Sequence, residues 1–158
     1  MNEIIVKRAS KFSLILGASL GILSIIPVTI GFSSFILIFL CAPIIIMYMK
    51  KNEKHISFLS NEQAAILGAI IGFISTIGFF ASFSPLVCII KMIFKTYYAY
   101  MIPDMLSGAL WLFFVLIFVM ALIFAATNSA SAMGLNWVYS HFEKSPKDNG
   151  QLDITIED

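Results

Sequence analysis

The side chains that could do chemistry are few and scattered along this chain. The two cysteines, Cys41 and Cys88, form no C-x-x-C pair, and neither histidine, His55 nor His141, has a second histidine or cysteine at ligand spacing. A metal site needs several such ligands, and a catalytic nucleophile needs a base beside it. The sequence therefore predicts no metal, no cofactor and no enzymatic activity.

Three polar residues near the end of the last apolar stretch are the candidates for lining a solute path. They are Asn128, Ser131 and Asn136. Amides and hydroxyls at membrane depth also form hydrogen bonds between helices, and this is their commoner use. We favour the packing interpretation and keep the solute path as its alternative.

A second polar group consists of Lys91, Lys95 and Asp104, with tyrosines between them. The two lysines are one helical turn apart and have apolar neighbours. Such a segment suits the edge of a membrane, where it could bind a lipid headgroup or an acid of a partner. Simple anchoring at the interface is the interpretation we prefer.

The composition indicates the environment in which these residues are held. Of the 158 residues, 59% are hydrophobic and only 12% are charged. Soluble domains have about 25% charged residues, so this chain has too little polar surface for water. The net charge of +1 gives no reason to expect nucleic acid as a partner. We predict an integral membrane protein with the lipid bilayer as its surroundings.

The length of the uncharged runs predicts the number of helices. One membrane span takes about 20 apolar residues. The chain has three uncharged apolar runs. The first run is long enough for two spans, and the second and third runs are each long enough for one. The predicted fold is therefore an all-α four-helix transmembrane bundle over residues 1–142, with a short interfacial helix or bent continuation between helices three and four, and an acidic, disordered tail. The helices are expected at about 9–27, 34–49, 61–84 and 105–127, the last extending to about 140, and the tail at 143–158.

Local signals mark two points along these helices. Ser60 and Gln63 have the S-x-x-Q spacing of a capping box, which starts a helix. Pro43 lies inside the second helix and is expected to kink it. The basic residues cluster around the N-terminus, around residues 50–54 and in the tail, which places both termini in the cytoplasm by the positive-inside rule.

A short repeat contains the most distinctive pattern of the chain. Residues 66–77 read I-L-G-A-I-I-G-F-I-S-T-I, and residues 15–26 read I-L-G-A-S-L-G-I-L-S-I-I. Each copy contains G-x-x-x-G, which lets two membrane helices approach closely. Duplication of a two-helix unit is one origin of this likeness, and the common use of small residues in membrane helices is the other. The predicted packing faces are Ser13, Gly17, Gly21, Ser24 and Ala64, Gly68, Gly72, Ser75.

The absence of charge inside the predicted spans limits the function. Ion-coupled carriers and voltage sensors use ionisable groups at depth, and these spans contain none. The sequence therefore favours a non-enzymatic scaffold or accessory subunit that assembles with another copy or another membrane protein. The alternative is a small oligomeric transporter or channel without a buried ionisable residue.

Overall fold

The computed structural model describes residues 3–52, 59–93 and 110–142, and within them it is entirely helical. This confirms the predicted all-α class. α1 is Glu3–Leu23, α2 is Ile30–Phe35, α3 is Cys41–Asn52, α4 is Asn61–Ile93 and α5 is Leu110–Phe142. A 3₁₀ turn at Pro27–Thr29 precedes α2, and a π-helical turn at Ile36–Leu40 joins α2 to α3. α2 and α3 thus form one continuous helix, the α2–α3 helix.

Three of these helices are long and apolar enough to cross a membrane. The segments are Pro27–Lys51, Asn61–Ile90 and Leu112–His141, found among the described residues. α1 is not one of them, because Lys7, Arg8 and Lys11 lie in its first half. Its uncharged part, residues 12–23, is about 18 Å long, which is less than the roughly 30 Å of a hydrocarbon core. The chain therefore fits an integral membrane protein with three long apolar helices and one shorter, partly charged one.

The start of α4 follows the predicted capping box. The backbone N–H of Gln63 donates to Ser60 Oγ over 3.2 Å, and the N–H of Ser60 donates to Gln63 Oε1 over 3.3 Å. The end of α4 differs from the prediction, because the helix passes through Pro85 and ends at Ile93. Phe79 and Val87 are buried on either side of Pro85, so α4 remains buried against the bundle before and after the proline, which removes one helix hydrogen bond.

This course of α4 changes the predicted interfacial helix. Residues 85–93 continue α4, so of the two predicted forms the structure has a continuation of the third helix here and not a separate element. Residues 94–103 lie outside the described residues, as does the predicted tail at 143–158. From Leu110 onward, the predicted fourth span and its extension form one uninterrupted helix.

α4 lies at the centre of the bundle. α1 packs parallel to it, since Gly17 lies against Ser75 and Gly21 lies against Phe79. α5 packs antiparallel to it on another side, and the α2–α3 helix contacts both α4 and α5. The buried apolar core includes Leu20, Leu37, Cys41, Ile45, Leu67, Ile71, Phe79 and Phe124.

Candidate functional site

The α2–α3 helix opens at the π-helical turn Ile36–Leu40, just before Pro43. In a regular α-helix, the N–H of Ala42 would donate to the carbonyl of Ile38. Here it donates to Oδ1 of Asn128 in α5, over 2.9 Å. Pro43 has no N–H to offer the preceding turn. Just before Pro43, where the sequence predicts a kink, the helix thus has a wider turn in which backbone carbonyls need other donors.

Asn128 supplies a donor for those carbonyls. Its Nδ2 atom lies 3.0 Å from the carbonyl oxygen of Leu37 and 3.0 Å from that of Ile38. The same nitrogen is 2.9 Å from the carbonyl of Phe124 in its own helix. Since Asn128 is fully buried, its carboxamide acts like a peptide group inserted into the neighbouring helix. Both ends of the carboxamide bond backbone atoms.

Thr127, the residue before Asn128, reaches the same turn. Its hydroxyl lies 3.0 Å from the carbonyl of Ile38, and 3.1 Å from that of Phe124. Thr127 was not among the site residues predicted from the sequence. Its position next to an asparagine in an apolar helix was the available signal, because threonine hydroxyls in such helices donate hydrogen bonds to nearby backbone carbonyls.

The other two residues of the predicted solute path lie apart from this turn. Asn136 is 8% exposed, and its Nδ2 donates to Asn61 Oδ1 over 2.8 Å and to the carbonyl of Leu59 over 3.0 Å. It therefore ties α5 to the start of α4. Ser131 is half-buried on α5. The two asparagines bond different elements at different depths of the bundle.

The first glycine pair brings α1 against α4. A Cβ atom at Gly17 would collide with the backbone carbonyl of Ser75, and one at Gly21 would lie 2.5 Å from the carbonyl oxygen of Phe79. Gly78 of α4 makes the reciprocal approach, where a Cβ would lie 2.7 Å from the carbonyl of Leu14. Gly78 was not among the predicted packing residues, because it is not four residues from another glycine. Its position one turn after Ser75, on the same helix face, was the available signal.

The second glycine pair brings α4 against α5. A Cβ at Gly68 would lie 2.6 Å from Ala132 Cβ and 2.6 Å from the carbonyl of Asn128, and one at Gly72 would lie 2.5 Å from the carbonyl of Phe124. The two glycine pairs therefore face different helices. In a duplicated two-helix unit, Gly17 would face the α2–α3 helix as Gly68 faces α5. The observed packing argues against that duplication.

The other residues of the two predicted faces are buried as well. Ser13 and Ser24 bond carbonyls of their own helix, Ala9 over 2.6 Å and Leu20 over 2.9 Å. Ala64 is fully buried. The hydroxyl of Ser75 lies beside the thiol of Cys41 but without hydrogen-bond geometry, and it has no other partner. These hydroxyls thus do not bridge helices.

An apolar groove of about 460 Å³ separates part of α4 from α5. Aromatic rings form much of its wall, with Phe73 and Phe118 edge to face at 6.1 Å and Phe80 and Phe113 at 6.4 Å. Ser84 contributes a hydroxyl at its upper end, beside Pro85. A groove of this kind suits hydrocarbon rather than a polar solute.

Most charged residues of the described chain lie at one end of the bundle. Lys7, Arg8, Lys11 and Lys51 are exposed there, and Lys50 Nζ lies 4.3 Å from the centre of the Tyr139 ring. At the opposite end, Lys91 is in the last turn of α4. Lys95 and Asp104 lie outside the described residues, so the predicted headgroup site at that edge stays a prediction.

The described residues contain no group of three or more histidine, cysteine, aspartate or glutamate side chains that could hold a metal. Cys41 is buried, Cys88 is half-buried, and both are free thiols.

Comparison of the chain with protein-family models, with curated proteins and with solved structures found no match. The function is therefore inferred from the geometry of the chain itself.

Proposed function

We propose that this protein is a non-enzymatic multi-pass membrane protein that serves as a scaffold or accessory subunit. The supporting observation is the use of its interior polar groups. Asn128 and Asn136 bond the backbone and side chains of neighbouring elements, and the hydroxyls of Ser13, Ser24 and Thr76 bond carbonyls of their own helices. Polar groups that a transporter would offer to a solute are bonded here to the backbone and side chains of the protein itself.

The proposed topology has four segments at membrane depth and both termini in the cytoplasm. α1 is short, but its glycines lie against Ser75 and Phe79, which are in the middle of the long apolar segment Asn61–Ile90. If α4 crosses the bilayer, α1 must lie inside it as well. The start of α1, the end of α3 and the end of α5 lie at the same end of the bundle as Asn61, which matches a cytoplasmic position for all four.

The alternative, a small oligomeric transporter or channel, is tested by flux. The purified protein is reconstituted into liposomes, and release of ions and of small neutral solutes is measured. We expect no flux above that of protein-free liposomes. Ser131→Leu is the probe variant, because Ser131 is half-buried on α5 and its replacement spares the backbone bonds of Asn128. Solute flux that falls in this variant would contradict the scaffold proposal.

Assembly is tested with glycine variants. A scaffold should purify with itself or with another membrane protein when crosslinked before solubilisation. Gly72→Leu should unfold the monomer, because a side chain there meets the backbone of α5. Gly31 and Gly134 have no atom within 4 Å of an added Cβ, so Gly31→Leu and Gly134→Leu should keep the fold and probe the exposed surfaces of α2 and α5. A protein that stays monomeric and crosslinks to nothing contradicts the proposal.

A further inference from the structure

Five cations of the described chain lie at similar depth along the bundle. Because α1 is parallel to α4 and Gly17 lies against Ser75, Lys7 and Lys11 lie level with residues 65 and 69 of α4. α3 runs antiparallel to α4, and Cys41 lies beside Ser75. Its last residues therefore return to the same level. We name this group the cationic patch: Lys7, Arg8, Lys11, Lys50 and Lys51.

Few acids oppose the patch. Among the described residues, the carboxylates at this end are Glu3 in the first turn of α1 and Glu62 in the first turn of α4. Both are exposed. The described part of this end therefore has five cations and two acids, which gives that part a net positive charge.

An aromatic pair lies directly beneath the patch and joins its two helices. The rings of Phe12 in α1 and Tyr48 in α3 meet edge to face, with centroids 5.0 Å apart. Arg8 is one turn before Phe12 and Lys51 is one turn after Tyr48, so both cations lie on the outer side of the rings. Cations above an aromatic pair, at the border of an apolar surface, match the headgroup level of a bilayer.

We propose that the cationic patch binds the headgroup of an anionic phospholipid from the leaflet around it. The patch has the complementary charge, and its two helices supply cations from both sides of one aromatic pair. Lipid is the occupant, because the charges lie at the border of the apolar helices, where acyl chains can follow the exposed ring of Tyr48 and the half-buried ring of Phe12 below. The proposal is independent of the scaffold role.

The test measures lipid retention by the full chain. The wild-type protein is reconstituted into nanodiscs of phosphatidylcholine with an equal share of phosphatidylglycerol, then extracted, and its bound lipid is counted by native mass spectrometry. We expect phosphatidylglycerol to be enriched. The triple variant Lys7→Gln, Lys11→Gln, Lys51→Gln should bind it about five-fold more weakly per lysine removed. The matched variant with arginine at the same three positions should retain it.

A second measurement covers the case in which the triple variant does not fold. Titration of phosphatidylglycerol into the detergent-solubilised wild type should raise its melting temperature more than phosphatidylcholine does, and salt should weaken the effect. Equal retention and equal stabilisation by the two lipids would overturn the proposal. So would a glutamine variant that folds and still selects phosphatidylglycerol.

Discussion

At the scale of single residues, Asn128 takes the place of a backbone peptide group. It accepts from Ala42 N–H and donates to carbonyls of the π-helical turn. We expect Asn128→Leu to lower the free energy of unfolding by about 2–3 kcal/mol, because it leaves buried backbone groups without partners. Denaturation in mixed detergent–SDS micelles measures this.

Two variants serve as controls for Asn128→Leu. Thr127→Val should cost less, since the Thr127 hydroxyl has several acceptors within reach, and Ser131→Ala should be near neutral because Ser131 is half-buried. If Asn128→Leu unfolds at the same SDS fraction as the wild type, the carboxamide does not hold the turn.

A substitution at Ser75 is expected to stabilise the fold, in contrast to Asn128→Leu. Its hydroxyl is fully buried, and it is the one side-chain oxygen or nitrogen in the interior of the described chain without a hydrogen bond. A buried hydroxyl without a hydrogen bond loses its contacts with water on folding and gains none in return. Because Ser75→Ala removes this cost, it should raise the free energy of unfolding by about 1 kcal/mol. Ser24→Ala is the matched control, because the Ser24 hydroxyl bonds the carbonyl of Leu20. A loss of stability in Ser75→Ala at least as large as in Ser24→Ala would refute this interpretation.

At the scale of elements, the turn between α1 and α2 stops short of the level that α4 reaches. Gly21 lies against Phe79 and Ser82, so the turn at residues 24–29 is level with the region after Ser82, whereas α4 continues to Ile93. About 20 helical residues cross a hydrocarbon core. If this length of α4 is counted from the level of the cationic patch, the turn lies about 8 Å below the outer edge of the hydrocarbon core. The turn has no charge, and Val28 is 90% exposed.

Polar backbone groups of this turn have hydrogen-bond partners within the protein. Thr29 Oγ1 donates to the carbonyls of Leu23 and Ile26, and the N–H of Ser24 donates to Leu20. Irregular backbone inside a bilayer needs such internal partners. We therefore expect the turn to remain within the outer leaflet.

Cysteine labelling tests the depth of the turn. In a Cys88→Ala background, Val28→Cys should not react with a membrane-impermeant maleimide in intact vesicles, while it should react after SDS is added; Cys41 is buried and contributes little before unfolding. Glu62→Cys, at an exposed position, should react once the cytoplasmic side is accessible. Rapid labelling of Val28→Cys from outside would place the turn in water.

At the scale of the whole molecule, the arrangement predicts the orientation in the membrane. The cationic patch and the ends of α3 and α5 share one end of the bundle, and basic residues favour the cytoplasm. A fluorescent protein fused after Asp158 should therefore fluoresce, and alkaline phosphatase fused there should be inactive. Fusions that end after residue 103 should behave the other way round. A phosphatase that is active at the C-terminus would reverse the predicted topology.

The helices, their apolar character and the start of α4 were predictable because each depends on near neighbours in the chain. Hydropathy over about 20 residues marks a span, and a capping box acts over three residues. The passage of α4 through Pro85 was not predictable from these local rules. In the structure, Phe79 and Val87 are buried on either side of Pro85, and the backbone of Phe79 lies against Gly21 of α1, a residue far away in sequence.

The amino-acid sequence by itself determined that this chain is helical and suited to lipid, and it marked the small residues where helices approach. The tertiary structure decided which helices meet: Gly17 and Gly21 face α4, while Gly68 and Gly72 face α5. It also decided that Asn128 bonds the turn before Pro43, in a helix far earlier in the chain. The physical reason is that the rotation of each helix is set by all its neighbours together, and no local pattern specifies it.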